Sequence, residues 1–272
     1  RFSRLTVLLV ACLLPVWNGC RPAGPVRTPR LRFSVIDVGQ GLAQIAVSGS
    51  SAVVWDVGPA DGYAAWFDWY RRSGSPVIRS MVISHSHADH YGALSRMDER
   101  VRFSGRIITH AAEDTAALRA HTSAAWKDRL FFHVVERGDT IGGLAGTVAE
   151  CIWPDESLPA GAVDDSLKNR FSLCFAVSCG KASVCITSDV DSIAMRKLCM
   201  REGTDLCADI LVVPHHGSAS SVNAPFYGYV RPRHAVVSCA QANDYGHPAP
   251  ELISLLFQCD VAFSTTFDDG SC

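Results

Sequence analysis

The sequence predicts an α/β fold in which two β-sheets pack face to face and helices cover their outer surfaces. Three observations predict it. Short β-rich runs come first as a meander. Strand-like runs then alternate with helical ones in both halves of the chain. Apolar residues make up 48% of the 272 residues, enough for a sizeable buried core. The formal net charge of −2 excludes recognition of nucleic acid by bulk attraction, so an anionic substrate has to be held by local groups.

The elements follow in order. At the N-terminus Arg1 and Arg4 precede an apolar run over residues 5–16, and Gly19 stands before Cys20. A positive end, a short apolar region and a processing site predict an export signal over residues 1–20. The run is too short for a permanent bilayer span. Cys20 after Gly19 resembles the lipid-modified cysteine of bacterial lipoproteins, so the expected location is exported, periplasmic or anchored to the membrane by lipid at Cys20. Residues 21–30 carry three prolines and three arginines and read as a linker. A single hydrolase-type domain is expected over 31–272. Of eleven cysteines, nine remain when Cys12 and Cys20 are set aside. None forms a Cys-x-x-Cys pair, which argues against a zinc knuckle.

Strands are expected at 31–38, 43–47 and 52–57, punctuated by Gly39, Gly41, Gly49 and Gly58. Residues 60–72 read as a helix, because Tyr63, Trp66, Phe67 and Tyr70 recur at three- and four-residue spacing and mark a core-facing stripe. A strand at 81–84 leads into a histidine cluster. Further strands are expected at 106–109, 130–135, 147–152, 171–177, 182–186, 210–213, 235–238 and 261–265. Further helices are expected at 90–98, 111–125, 192–202 and 250–258.

The strongest chemical signal is His85-x-His87-x-Asp89-His90, directly after a strand. Residues two apart in an extended segment point the same way, so His85 and His87 can grip one ion. A helix starting near Asp89 presents Asp89 and His90 toward a second. Imidazole and carboxylate suit zinc, manganese or iron. A second cluster, Pro214-His215-His216-Gly217-Ser218, follows another apolar strand. Adjacent histidines point in different directions, so one of the pair is expected to ligate metal and the other to serve substrate or leaving group. Asp189, at the end of strand 182–186, is placed to bridge two ions, or else to cap the helix beginning near Ser192. Asp56, at the end of strand 52–57, is expected to orient the ligands rather than to bind metal. Two ions a few ångströms apart lower the pKa of a bridging water and stabilise developing charge. Metal-bound hydroxide is then the expected nucleophile.

His85-Ser-His-Ala-Asp-His90 resembles the metal-binding signature of the metallo-β-lactamase superfamily. More narrowly, the chain resembles the hydrolase domain of ComEC-type competence proteins. The matching segments are Phe33–Gly41, Trp55–Gly58, Ser84–Gly92, Asn169–Leu173, Ile186–Asp189, Asp209–Ser218, Asn243–Pro248 and Ser264–Ser271. This resemblance implies a four-layer αββα sandwich with two divalent ions, usually zinc or manganese, and a phosphodiesterase or nuclease activity. It implies His85 and His87 at the first ion, Asp89 and His90 at the second, Asp189 as the bridge, and His215 completing the set. Asp89, His216 and His247 are the candidate catalytic groups. Asp37, Gln40 and Gly41 are expected to shape the floor of the site. The chain departs from the family at Ser188 and Ala93, where glycine is usual. The third histidine of the first ion has no evident counterpart; His110 is poorly placed and Asn169 is a substitute. The implied partner is a phosphodiester such as single-stranded DNA. Competing readings are a hydrolase of another ester, lactone or amide, and a non-catalytic binding or assembly protein that keeps the fold.

Overall fold

The computed structural model describes residues 31–128, 130–154 and 164–272. The expected export signal, Cys20 and the linker lie outside the described residues.

Two sheets form the centre. The first runs in the order β1 (Leu31–Val35), β2 (Ala43–Ser48), β3 (Ser51–Val57), β4 (Val77–Val82), β5 (Phe103–Thr109), β6 (Phe132–Val134). Its β1–β2–β3 part is an antiparallel meander, and β3 to β6 pair in parallel. The second contains β7 (Thr140–Ile141), β8 (Thr147–Trp153), β9 (Cys174–Cys179), β10 (Ala182–Ile186), β11 (Ile210–Val212), β12 (His234–Val237) and β13 (Ala262–Thr265), in spatial sequence order. Here β7 to β10 pair antiparallel and β10 to β13 in parallel.

The period-two alternation of each strand sorts its apolar side chains into three cores. Val53 and Trp55 of β3 point between the sheets, where they meet Phe175, Ile186, Val212 and Val236. Ala52 and Val54 of the same strand point outward to Trp66 and Tyr70. In the second sheet Leu211, Ala235 and Val237 face the opposite outer layer, with Leu198, Phe226 and Leu252. Helix, sheet, sheet and helix are therefore the four layers expected.

The helices are α1 (Tyr63–Arg72), α2 (Ala88–Tyr91), α3 (Thr115–His121), α4 (Ala124–Lys127), α5 (Ser192–Glu202), α6 (Ala224–Val230), α7 (Pro250–Gln258) and α8 (Thr266–Asp269). The aromatic stripe of α1 packs as read from its spacing: Trp66 and Tyr70 are fully buried with ring centroids 5.4 Å apart. Asp191 caps α5 by accepting from the amides of Ile193 and Ala194. The helix expected at 90–98 is instead α2 followed by a 3-10 turn over Gly92–Arg96. A Cβ at Gly92 would stand 2.8 Å from the Ala60 nitrogen, so this segment presses against the chain entering α1. The helix expected at 111–125 is two pieces. Asp114 caps α3 at its start, and extended Thr122 and Ser123 separate it from α4.

Every parallel strand near the middle of each sheet ends on the same edge of the sandwich. The loops leaving β3, β4, β10, β11 and β12 meet there.

Candidate metal centre

β4 delivers the histidine cluster. Leaving β4, the Ser84 amide and hydroxyl both donate to the Asp56 carboxylate, at 2.8 and 2.7 Å. The same carboxylate accepts from His90 Nδ1 at 2.8 Å. Asp56 and His90 are both fully buried. With its Nδ1 proton committed to Asp56, His90 turns Nε2 toward the interior of the site. His85 is handled similarly: its Nδ1 lies 3.0 Å from Ser84 Oγ, and its Nε2 lies 3.0 Å from His87 Nδ1.

β10 and β11 deliver the other half. Thr187-Ser188-Asp189 turns sharply at Ser188, whose φ is 44°. That left-handed backbone explains why glycine suits this position, and Ser188 Oγ secures the turn by donating to the Leu173 carbonyl. His215 and His216 are also left-handed, with φ of 51° and 54°. Two successive αL residues hold the pair in a conformation costing energy, a pattern that concentrates at ligand sites. His216 Nδ1 donates to the Ser238 carbonyl at 2.9 Å, which aims Nε2 at the carboxylates.

Ligand atoms of Asp89, His90, Asp189 and His216 all lie within 4.8 Å of one another. His90 Nε2 is 3.1 Å from Asp189 Oδ1, and His216 Nε2 is 3.2 Å from Asp89 Oδ2 and 3.5 Å from Asp189 Oδ2. These are close approaches without hydrogen-bond alignment: His90 Nε2, His216 Nε2 and Asp189 Oδ1 are buried and lack hydrogen-bond partners. Buried polar atoms left unpaired are costly, and several converging on one point is the arrangement a cation resolves. The donor set fits the expected divalent ion.

Electrostatics agree. Burial opposes the charged form of Asp189, yet His90 and His216 hold its carboxyl well below the usual range. Asp89 behaves alike: burial works against the charge, and His216 and His90 prevail to depress it. Burial also disfavours charge on His216, but Asp189 and Asp89 push it up to about 9. Asp189 and Asp56 similarly raise His90 well above its ordinary 6.5. At His85 burial and then the neighbouring His90 outweigh the pull of Asp189 and drive it well below 6.5.

The structure places the remaining expected residues as follows. It brings His216 rather than the expected His215 into the four-residue group. His215 stands on the cleft wall with Nε2 3.8 Å from Asp189 Oδ2 and accepts from Asn169 Nδ2 at 3.2 Å. His87 is half-buried and reaches Asp165 at 3.6 Å. Asn169 lines the cleft, and its buried Oδ1 lacks a partner. Asp189 is in the group; the helix cap falls to Asp191 instead. Asp37 does not reach the centre; its carboxylate accepts from the Gly39 amide and shapes the turn after β1. Gln40 does, donating to His247 Nδ1 at 3.4 Å. His247 is lowered to about 4, first by burial and then by His216 and His215. Gly41 packs where a Cβ would lie 2.5 Å from the Asp89 carbonyl oxygen.

Sequence reasoning missed Glu113 and left His110 without a part. Glu113 is buried, accepts from the Ser86 amide at 3.2 Å and faces His110 Nε2 at 3.2 Å. It thereby braces the residue between His85 and His87. Only the apposition of the loops after β4 and β5 makes that visible. Ser238 was likewise unmarked.

The centre opens into a cleft of about 560 Å³ bounded by Gln40, His87, His121, Asn169, Tyr245 and His247. His216, His247 and exposed Tyr245 stack in succession, with neighbouring centroids 6.1 and 5.5 Å apart.

No family model matches the chain. It is 26% identical over 243 residues to the uncharacterized protein YcaI of Escherichia coli, covering 86% of this chain and 28% of that protein. It is 23% identical over 198 residues to ComE operon protein 3 of Bacillus subtilis, covering 73% and 24%. Competence protein ComA of Neisseria gonorrhoeae is 26% identical over 216 residues, covering 79% and 28%. The chain thus spans about a quarter of the length of these curated relatives. Among solved structures, the metallo-β-lactamase fold protein YhfI of Bacillus subtilis superposes with a TM-score of 0.55 at 11% identity, over 86% of this chain and 95% of that one. The β-hydroxylase CmlA superposes with a TM-score of 0.52 at 12% identity, over 87% and 53%. The four-layer sandwich, the ligand cluster at its loop edge and these likenesses lead to one conclusion: the chain has the metallo-β-lactamase fold and resembles, over most of its length, a segment of the ComEC-type competence proteins.

Proposed function

We propose that the chain is a metal-dependent hydrolase of phosphodiesters, with single-stranded nucleic acid as its substrate class. One observation carries the reading: ligand atoms of Asp89 and of the buried His90, Asp189 and His216 converge within 4.8 Å, with several hydrogen-bonding valences unmet. These four residues would hold one ion. His85 and His87, with Asp189 shared and Asn169 Oδ1 on the same cleft wall, would hold a second. Zinc or manganese suits the mixed imidazole–carboxylate set. Such ions activate water near neutral pH and neutralise charge developing on a phosphoryl oxygen.

The chain's own residues supply the rest. Asp56, Ser84 and Ser238 fix the tautomers of His90, His85 and His216 through their Nδ1 atoms. His247, neutral over the physiological range, stands over His216 with Gln40 behind it, placed to accept a proton or orient a substrate oxygen. His215, steadied by Asn169 and Ser220, stands beside His247 with ring centroids 5.9 Å apart.

The test is metal analysis of protein stripped with chelator and reloaded with Zn²⁺ or Mn²⁺, together with hydrolysis of bis-p-nitrophenyl phosphate and of single- and double-stranded DNA. Metal-dependent turnover lost in His216→Ala and Asp189→Asn supports the proposal. Stoichiometric metal with no turnover of any phosphodiester sinks it. A second reading draws on the cleft lining, which includes no Lys or Arg among the described residues. Such a wall also fits an uncharged ester or lactone. Turnover of a lactone panel with no phosphodiester cleavage would select that reading.

A further inference from the structure

A second cleft of about 500 Å³ opens at the rim between the sheets, where the edge strands β6 and β7 approach each other. Arg79, Arg106, His133, Phe131, Ser80 and Ser104 line it, and no Asp or Glu does. It is distinct from the metal centre: about 20 Å of extended chain separates Arg79 from His85 along β4.

The backbone is built around Arg79. In β3–β4 the register passes from Ala52↔Ile78 to Val53↔Ser80, and in β4–β5 from Ile78↔Phe103 to Ser80↔Arg106. Arg79 is therefore the extra residue of a bulge toward β3, and on its other side the extra residue lies on β5, where Ser104 and Gly105 stand against Arg79. Bulges re-aim side chains and recur beside functional sites. Two glycines, Gly105 of β5 and Gly143 just after β7 of the second sheet, leave room for it. A Cβ at Gly105 would fall 1.7 Å from the Arg79 carbonyl oxygen, and one at Gly143 would fall 2.8 Å from Arg79 Cβ. The re-aimed guanidinium donates to the hydroxyls of Ser51 and Ser104, at 3.4 and 3.1 Å. Those neutral partners orient the charge without cancelling it. Arg106 adds a second guanidinium and His133 an imidazole, both exposed. Phe131, 71% exposed, offers a bare ring face at the mouth.

We infer that this cleft binds a nucleotide unit, its phosphate held by Arg79 and Arg106 and its base set against Phe131. Paired guanidiniums match phosphate oxygens, an exposed aromatic ring stacks a base, and the volume suits a small-molecule site.

Occupancy is read without catalysis, on chelator-treated full chain, by calorimetric titration with 5′-deoxyadenosine monophosphate, deoxyadenosine, inorganic phosphate and a 5′-phosphorylated oligothymidylate. The nucleotide should bind more tightly than the nucleoside and more weakly as salt rises. Arg106→Ala should weaken it roughly ten-fold or more. Phe131→Ala should weaken the nucleotide and leave inorganic phosphate unchanged. Both side chains are exposed, and circular dichroism checks that the variants fold. Binding of the oligonucleotide alone, lost in Arg106→Ala, assigns the cleft to a strand end; binding of the mononucleotide alone assigns it to a free nucleotide. Absence of binding by either, or binding that survives both substitutions, overturns the inference. Because no turnover is measured, failure here leaves the proposed hydrolase activity to its own test.

Discussion

Asp56 sits at the end of β3 with φ of 54° and a fully buried carboxylate that serves three donors: the Ser84 amide, the Ser84 hydroxyl and His90 Nδ1. It touches no point where the ion would stand, yet it decides which nitrogen of His90 faces the ion. Asp56→Asn keeps the size and tolerates the left-handed backbone but substitutes an amide for an acceptor. The expected result is a fall of about 10- to 100-fold in metal affinity, measured by competition with a chromogenic chelator. An unchanged affinity would show that His90 is oriented by packing alone. The protonation pattern of the centre gives a second expectation, for the metal-free protein. His90 and His216 are raised in the fold, so their contribution is present below about 6.5 and lost as pH rises, for His216 through about 9. His85, His215 and His247 are lowered, chiefly by burial, so the unfolded chain takes up protons below 6.5 that the fold refuses. Asp89 and Asp189 stay charged throughout this window. Stability of the stripped protein should therefore peak near pH 6.5 and decline on both sides, as denaturant midpoints at pH 5, 6.5 and 8.5 will show. A midpoint that climbs steadily across that range would contradict this balance.

At the scale of elements, the site consists of loops whose positions depend on a few tight approaches. Gly41, after the turn from β1, lies so close to α2 that a Cβ would be 2.5 Å from the Asp89 carbonyl oxygen and 2.6 Å from Pro59 Cδ. The Leu42 amide donates to that same carbonyl at 3.1 Å, tying the first turn to the metal loop. Gly41→Ala should cost about 1–3 kcal/mol, read from denaturant unfolding, because backbone and not a flexible side-chain end must yield. Elements with strong local signals were legible in advance. Helices α5 and α7 and strand β10 begin and end where the pattern of their residues puts them. Helix α6 was not; it is only seven residues long, and its start depends on Asn223 accepting from the Phe226 amide. Strand β7 is too short to carry a period. The same divide runs through the site. The His85–His90 cluster is local and stands out in the chain. Which of His215 and His216 faces the group follows from two left-handed residues, and the Glu113 brace joins positions 27 apart. Neither leaves a trace in the spacing of residue types.

At the scale of the molecule, the ligand set straddles the sandwich. Asp89 and His90 follow β4 of the first sheet, whereas Asp189 and His216 follow β10 and β11 of the second. Apart from the metal group, the sheets are joined mainly by apolar packing between their inner faces, and at this edge by single contacts such as Ser238 Oγ to the Gly41 carbonyl and the Leu173 amide to the Ser84 carbonyl. An ion held by residues of both sheets acts as a cross-link, and its binding energy becomes folding energy because the unfolded chain has no such site. With metal at about a hundred times its dissociation constant the gain is about 2.7 kcal/mol, which for a domain of this size moves Tm by about 5–10 °C. Removal of metal by chelator should lower Tm by that amount, and reloading with Zn²⁺ or Mn²⁺ should restore it. The loss should be local as well as global. Amide exchange should quicken in the loops after β4, β10 and β11, while the outer core around Trp66 and Tyr70 keeps its protection. A chelator shift confined to one sheet's loops would place the ion on that sheet alone, and equal Tm with and without metal would remove the cross-link from the account.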